Sequence, residues 1–193
     1  SLLPVDSALK PLASLAPQYV HFVPRQAFGH KGSYGHVLVI GGHAQMGGAV
    51  MLAAEAAFHA GAGKVTVVCD AKHHTAILAR APNIMLRDIN QMSLQERAAL
   101  VAHVDAVSFG MGLGRDSWAQ QQFDAWFPLI QTSALQVVLD ADALWFLASR
   151  PVKLGEQVYA TPHPGEAATL LGISASAVES DRIAAIYALQ KKY

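Results

Sequence analysis

Four short stretches of the sequence hold residues whose types and spacing could do chemistry. Asp140-Ala141-Asp142 sets two carboxylates one residue apart, suited to a metal-phosphate site or to capping a helix, and one of the two is expected to cap. In Thr161-Pro162-His163-Pro164-Gly165-Glu166, two prolines set φ and a glycine bends the chain. That stiff loop holds His163 and Glu166 at a helix N-terminus, where anions are favoured. Gly41-Gly42-His43-Ala44-Gln45-Met46-Gly47-Gly48-Ala49 is a glycine-rich turn whose free amides could face an anion, and equally a turn of the kind that any tight strand-to-helix connection needs. Gly110-Met111-Gly112-Leu113-Gly114 alternates three glycines, more than one turn requires, and permits close backbone approach to a ligand.

Other motifs fall away. The glycines do not meet the G-x-G-x-x-G spacing, and Gly63-Lys64 leads into a strand with Val65 next, so no Walker A loop exists. Gly61 and Gly63 read as C-cap glycines. The nine histidines form no H-E-x-x-H pair, His73 and His74 point in different directions on a helix, and neither a G-x-S-x-G elbow nor a cysteine in a reactive setting is present. Trp118, Trp126 and Trp145 fall in helical stretches and read as core or interface anchors.

The elements that must position these motifs alternate along the chain. Short β-branched runs at His36–Gly41, Lys64–Cys69, Asp105–Phe109 and Gln136–Leu139 read as buried strands. Helical stretches lie at Gly48–Ala60, Ala71–Ala79, Ser93–Ala102, Ser117–Leu129 and Ala141–Ala148, with more after Pro164 and a last helix from about Ala177 to Tyr193. Ser93 with Glu96, and Ser176 with Glu179, have capping-box spacing. Strand and helix in alternation imply an α/β fold with a mainly parallel sheet covered on both faces. In such sheets ligands sit beyond the strands' carboxyl ends, where all four motifs fall.

Composition bounds the rest. With 193 residues, 52% of them apolar and 15% charged, the chain can build one domain around a sizeable core. Lys plus Arg balance Asp plus Glu at 14 each without a basic cluster, which argues against nucleic acid as a partner. The single Cys69 excludes an internal disulfide and suits a reducing cytoplasm. No apolar run is long enough for a membrane span, and Ser1-Leu2-Leu3-Pro4 does not open a secretion signal.

Taken in order, His30 to Gly42, Met46-Gly47-Gly48-Ala49, Phe109 to Gly114, Asp140-Ala141-Asp142-Ala143-Leu144 and Thr161 to Glu166 resemble the ADP-dependent (S)-NAD(P)H-hydrate dehydratases. The resemblance runs from about residue 25 to the end and implies a three-layer α/β/α ribokinase-like fold, incomplete at the C-terminus: residues 1–24 as leader or linker and 25–193 as the N-terminal two-thirds of the domain. It implies a reaction in which ADP phosphorylates the C6 hydroxyl of the hydrated nicotinamide ring and phosphate then leaves, restoring NADH or NADPH. By motif position Ala49, Gly112 and His163 contact the hydrate. Glu166 takes the place of a glutamate that serves Mg²⁺ and phosphate, Asp140 and Asp142 border it, and Gly47, Gly48, Gly110 and Gly114 belong to the glycine loops. The family's later G-x-G-D motif, whose aspartate is the base, does not occur. The catalytic aspartate is therefore expected beyond Tyr193, and the 193-residue chain alone is expected to be inactive. Expected besides are a homo-oligomer, cytoplasmic residence and fusion to an N-terminal epimerase domain. A ribokinase-like small-molecule kinase and a non-catalytic nucleotide-binding fragment are the alternatives, and the Thr161 to Glu166 motif argues against the kinase.

Overall fold

Successive residues of a strand face opposite sides of its sheet, and strand β1 (His36–Ile40) is apolar on both: Leu38 and Ile40 turn one way, Val39 the other, and all three are fully buried. Such a strand needs cover on each side. The computed structural model, which describes residues 24, 25 and 27–193, supplies it; but for Pro24 and this one gap, the leader expected over residues 1–24 lies outside the described residues.

β1 pairs in parallel with β2 (Lys64–Cys69) and β4 (Ala106–Phe109). β3 (Met85–Asp88) extends the sheet beyond β2, and β5 (Gln136–Leu139) and β6 (Val158–Ala160) extend it beyond β4, every pair parallel, in the order β3-β2-β1-β4-β5-β6. On one face Val39, Val65, Val67 and Cys69 form a core with Val50 and Ala54 of α1 (Gly48–His59) and Ile77 of α2 (His74–Arg80). On the other, Leu38, Ile40, Phe109 and Leu139 meet α3 (Leu94–Val101), α4 (Ser117–Gln131) and α5 (Asp142–Leu147). There Phe123 stacks on Phe109 and Phe127, with ring centroids 5.7 and 4.8 Å apart, beside the fully buried Trp126. α6 (Pro164–Leu171), α7 (Ala175–Ser180) and α8 (Arg182–Lys192) follow β6 around a small core of Ala167, Ala168, Val178 and Ala185.

The expected α/β/α layering and the four expected strands are present, each to within a residue. Two edge strands escape sequence reading. β3 exposes Met85 and Arg87 in alternation, and β6 is three residues long with Tyr159 and Ala160 exposed, so neither has the apolar run of a central strand. The last helix is two: Asp181, at φ −151° and ψ 84°, leaves helical geometry and turns its carboxylate to the Ala184 amide (2.8 Å), capping α8. Of the two capping boxes, Ser93 with Glu96 forms, whereas Ser176 with Glu179 does not; Ser174 caps α7 and Glu179 pairs with Arg182. Gly61 follows the α1 C-cap at φ +112°, as expected, but Gly63 is a close-approach residue, since a Cβ there would overlap the Lys31 carbonyl oxygen.

Because β2 and β3 lie on one side of β1 and β4 to β6 on the other, the strand order reverses between β1 and β4. The crevice beyond their carboxyl ends is the place where open parallel sheets take ligands. Among the described residues no helix is long and apolar enough to cross a membrane.

Burial, reinforced by the carboxylates of Asp70 and Asp88, pushes the Cys69 thiol up to about 12. The folded chain should therefore resist a thiol-specific disulfide reagent at about pH 8, whereas denaturant-unfolded chain, with a thiol near pKa 8.5, should react. Equal labelling rates in the two states would contradict the burial argument. Because folding raises this pKa, the stabilisation it reflects is complete below the unfolded value and declines as pH rises above it.

Candidate functional site

The loops after β1 and β4 are clamped together at the strand-order reversal. The Gly42 amide donates to the Met111 carbonyl (3.2 Å) and the His43 amide to the Gly112 carbonyl (2.7 Å). Glycine is what allows this. A Cβ on Gly41 would overlap the Met111 carbonyl oxygen and one on Gly112, at φ +60°, the Met46 carbonyl oxygen, while Gly110, at φ +118°, packs in the same way against the Asp140 carbonyl oxygen of the β5 loop. These glycines thus serve a close approach of backbone to backbone.

His43 fixes the same loop from its side chain. Its Nε2 lies 3.3 Å from Asp116 Oδ2, its Nδ1 accepts from the Gln45 amide (3.3 Å), and its ring meets Trp118 edge-on with centroids 5.0 Å apart. Asp116 also caps α4 through the Ala119 amide (2.9 Å), and that bond, helped by the nearby His43, holds its carboxyl below the usual carboxylate range. Trp118 donates in turn to Asn90 (2.7 Å).

The carboxylates after β5 behave differently from expectation. Neither caps α5: the cap position is Ala141, with no side-chain bond, and at φ +49° it is the one non-glycine residue among those described with positive φ. That twist sends the two side chains apart. Asp140 Oδ1 accepts from the Thr161 hydroxyl (2.8 Å), while Asp142 accepts from the Gly114 amide through Oδ2 (2.8 Å) and pairs with Arg115 Nε through Oδ1 (2.8 Å). Asp142 therefore ties α5 to the end of the β4 glycine run.

Beyond β6, His163 and Glu166 form a reciprocal cap at the start of α6. His163 Nδ1 accepts from the Gly165 and Glu166 amides (3.0 and 3.4 Å), and Glu166 Oε2 accepts from the His163 amide (2.9 Å). With Nδ1 an acceptor, this pattern assigns the proton of a neutral ring to Nε2, 3.4 Å from Glu166 Oε1. The prolines do position the loop, but the α6 N-terminus is filled by its own side chains. α1 presents the opposite case. Its cap, Gly47, makes no side-chain bond, a Cβ on Gly48 would meet open space, and the exposed Gly48 and Ala49 amides have no partner among the described residues.

The motif residues thus form a rim along the carboxyl edge, linked loop to loop from β1 to β4 to β5 and from β5 to β6. Asp140, Asp142 and Glu166 are not brought together: each has its own partner, and among the described residues no group of three or more His, Cys, Asp or Glu is arranged to hold a metal. His163 and Glu166 instead line a cavity of about 220 Å³ with Arg115, Leu144, Trp145, Gly165 and Thr169. A larger cavity of about 600 Å³ lies beside β6 and α8, shares none of these residues and touches the motifs only at Pro162. Sequence reading assigned no role to Arg115, Thr161 or Trp145. Arg115 directly follows the glycine run and Trp145 lies one helical turn past Asp142, which was the available signal. Of the expected core or interface anchors, Trp126 is a core anchor, whereas Trp145, 40% exposed, is not in the core, because it sits on the face of α5 turned to this cavity.

A parallel sheet with helices on both faces and its glycine loops at the strand-order reversal is the layout of a ribokinase-like α/β/α domain. The chain belongs to the NAD(P)H-hydrate dehydratase family, whose sequence model matches residues 37–193. It is 44% identical over 164 residues to the bifunctional NAD(P)H-hydrate repair enzyme of Coxiella burnetii, an alignment covering 85% of this chain and 32% of that protein. It is 39% identical over 155 residues to the ADP-dependent (S)-NAD(P)H-hydrate dehydratase of Lactiplantibacillus plantarum, covering 79% and 54%. The crystal structure of the ADP/ATP-dependent NAD(P)H-hydrate dehydratase from Bacillus subtilis, co-crystallised with ATP/Mg²⁺, superposes with a TM-score of 0.67 at 30% identity, covering 82% and 55%. The chain thus spans about a third of the bifunctional relative and about half of the Lactiplantibacillus enzyme.

Two stability tests follow from the glycine and cap geometry. Gly112→Ala should destabilise by more than about 1 kcal/mol, since it combines positive φ with a backbone overlap across the clamp, whereas Gly48→Ala should be neutral or stabilising by up to about 1 kcal/mol. Thermal melts of the two variants compare them; equal losses would refute the clamp. Glu166→Ala should cost about 0.5–2 kcal/mol and Glu166→Gln much less, because glutamine keeps the acceptor oxygen of the box. Equal unfolding midpoints for Glu166→Ala and the parent chain would show that the cap contributes nothing.

Proposed function

We propose that this chain carries the hydrate-binding side of an ADP-dependent (S)-NAD(P)H-hydrate dehydratase, which returns hydrated NADH or NADPH to the reduced cofactor and yields AMP and phosphate. The observation that carries the reading is the uncapped start of α1 at the strand-order reversal, in a chain whose family match spans that turn. Free amides at a helix N-terminus favour negative charge, and phosphoryl transfer depends mainly on positioning and on neutralising charge.

In this reading the Gly48 and Ala49 amides and the β4 glycine loop receive the phosphate-bearing part of the ligands. Ala49, Gly112 and His163 contact the hydrate, His163 through Nε2, which it shares with Glu166 Oε1 (3.4 Å), because Nδ1 is engaged by the α6 cap. The ring hydroxyl gives its proton to a base and takes the phosphoryl group from ADP, AMP leaving; phosphate, a better leaving group than hydroxide, then departs from C6 as the neighbouring ring carbon loses a proton and the double bond re-forms.

Magnesium would neutralise the phosphates, and the donors present fit it. Mg²⁺ takes one or two carboxylates and completes its shell with phosphate oxygens and water. Glu166 Oε1, 3.4 Å from His163 Nε2, and Asp140 Oδ2 accept from no amide or hydroxyl, and because the two carboxylates are not gathered at one point, a single one of them would hold the ion. The co-crystals of the Bacillus subtilis relative with ATP/Mg²⁺ support the same cofactor set.

The full-length gene product should restore absorbance at about 340 nm from hydrated NADH only when ADP is supplied, as expected from the cofactor's chemistry. His163→Ala should weaken hydrate binding by about 1–3 kcal/mol and ADP binding less. Recovery without ADP would sink the proposed reaction, and an equal loss for both ligands would move His163 to the phosphate side.

A further inference from the structure

We propose that Trp145 and Arg115 form a ring-binding wall, a specificity determinant against which the nicotinamide-type ring of the ligand lies next to His163; the choice of ring rests on the function proposed above. α5 buries Ala143, Leu144, Phe146 and Leu147, yet leaves Trp145 40% exposed. A tryptophan that packed only for stability would gain by burial of its whole apolar surface. Its exposed part lines the cavity that His163 and Glu166 also line, at the carboxyl edge of the sheet.

The indole is held in place. Phe146 meets it edge-on, with centroids 4.9 Å apart at 85°, and the Arg115 guanidinium stands 5.7 Å from its ring centroid. Arg115 is anchored in turn through Nε to Asp142, which is tied to the Gly114 amide. Its two terminal nitrogens make no hydrogen bond to the described residues, so they remain donors for a carboxamide or phosphate oxygen. A flat, π-rich surface beside a braced cation recognises a heterocycle that bears polar oxygen. The cavity of about 220 Å³ is smaller than the roughly 300–1,000 Å³ of pockets that enclose whole ligands, which favours one ring over a whole dinucleotide.

The test uses the full-length gene product and two probes, reduced nicotinamide mononucleotide and AMP. Reduced nicotinamide mononucleotide should quench tryptophan emission in the wild type and quench it much less in Trp145→Phe. Trp145→Ala should weaken its binding about tenfold, Trp145→Phe should retain most of the affinity, and AMP binding should change less than about twofold. Circular dichroism that matches the wild type establishes that the variants fold. Unchanged affinity in folded Trp145→Ala, or a larger loss for AMP than for the nicotinamide probe, overturns the inference. The function itself is read separately. Turnover of hydrated NADH with ADP by the wild type, alongside an unaltered KM for the hydrate in Trp145→Ala, leaves the reaction standing and removes the wall. Trp145-dependent quenching by the nicotinamide probe in a protein without ADP-dependent turnover supports the wall and refutes the reaction.

Discussion

The site depends on one constraint: two backbone loops must pass within hydrogen-bonding distance of each other where the strand order reverses. The bonds from the Gly42 amide to Met111 and from the His43 amide to Gly112 join the β1 and β4 loops, and side chains at positions 41 and 112 would force them apart. Behind the clamp Leu38, Val39 and Ile40 of β1 and Val107 and Phe109 of β4 are buried, so the loops leave a scaffold that resists displacement. α1 starts at the end of one clamped loop, and the amides of its first turn are aimed by it. The glycines of the clamp therefore fix where the amides of α1 point.

The same economy governs charge. Three carboxylates line up along the carboxyl edge, and clustered without partners they would repel one another. Each is instead given a donor: Asp140 the Thr161 hydroxyl, Asp142 the Gly114 amide and Arg115, Glu166 the His163 amide. Hydrogen bonds spread each charge over the fold and join neighbouring loops. Asp142 does most in this respect, because through it the position of Arg115 depends on the backbone of the β4 loop.

The central sheet was legible because its strands are buried on both faces, which leaves unbroken β-branched runs such as Val65 to Cys69. β3 and β6 were not, since edge strands are half solvated and lose that pattern. The break at Asp181 was hidden because aspartate is tolerated inside a helix, and only its bond to the Ala184 amide shows it acting as a cap. The site motifs were found by type and spacing, but their roles needed three dimensions. That Asp140 and Asp142 diverge follows from the twist at Ala141, a residue whose type gives no warning of positive φ. That Trp145 differs from Trp126 follows from which side of a helix meets the sheet, and in a helix as short as α5 the apolar period covers less than two turns.

The two helix starts along this edge differ in a way that orders the proposed chemistry. α6 closes its N-terminus with its own histidine and glutamate, so its amides are spent and what it offers a ligand is side chains: the Nε2 edge of His163 and one oxygen of Glu166. α1 closes nothing, and its first amides stay available to an anion. In the proposed function a polyanionic end would meet the α1 amides directly, whereas a phosphate beside Glu166 would need the intervening Mg²⁺ to offset the carboxylate. Capping, a local property of two turns, thus makes the two places chemically unequal, and in the proposed function that inequality would set the polarity of binding before any catalytic group acts.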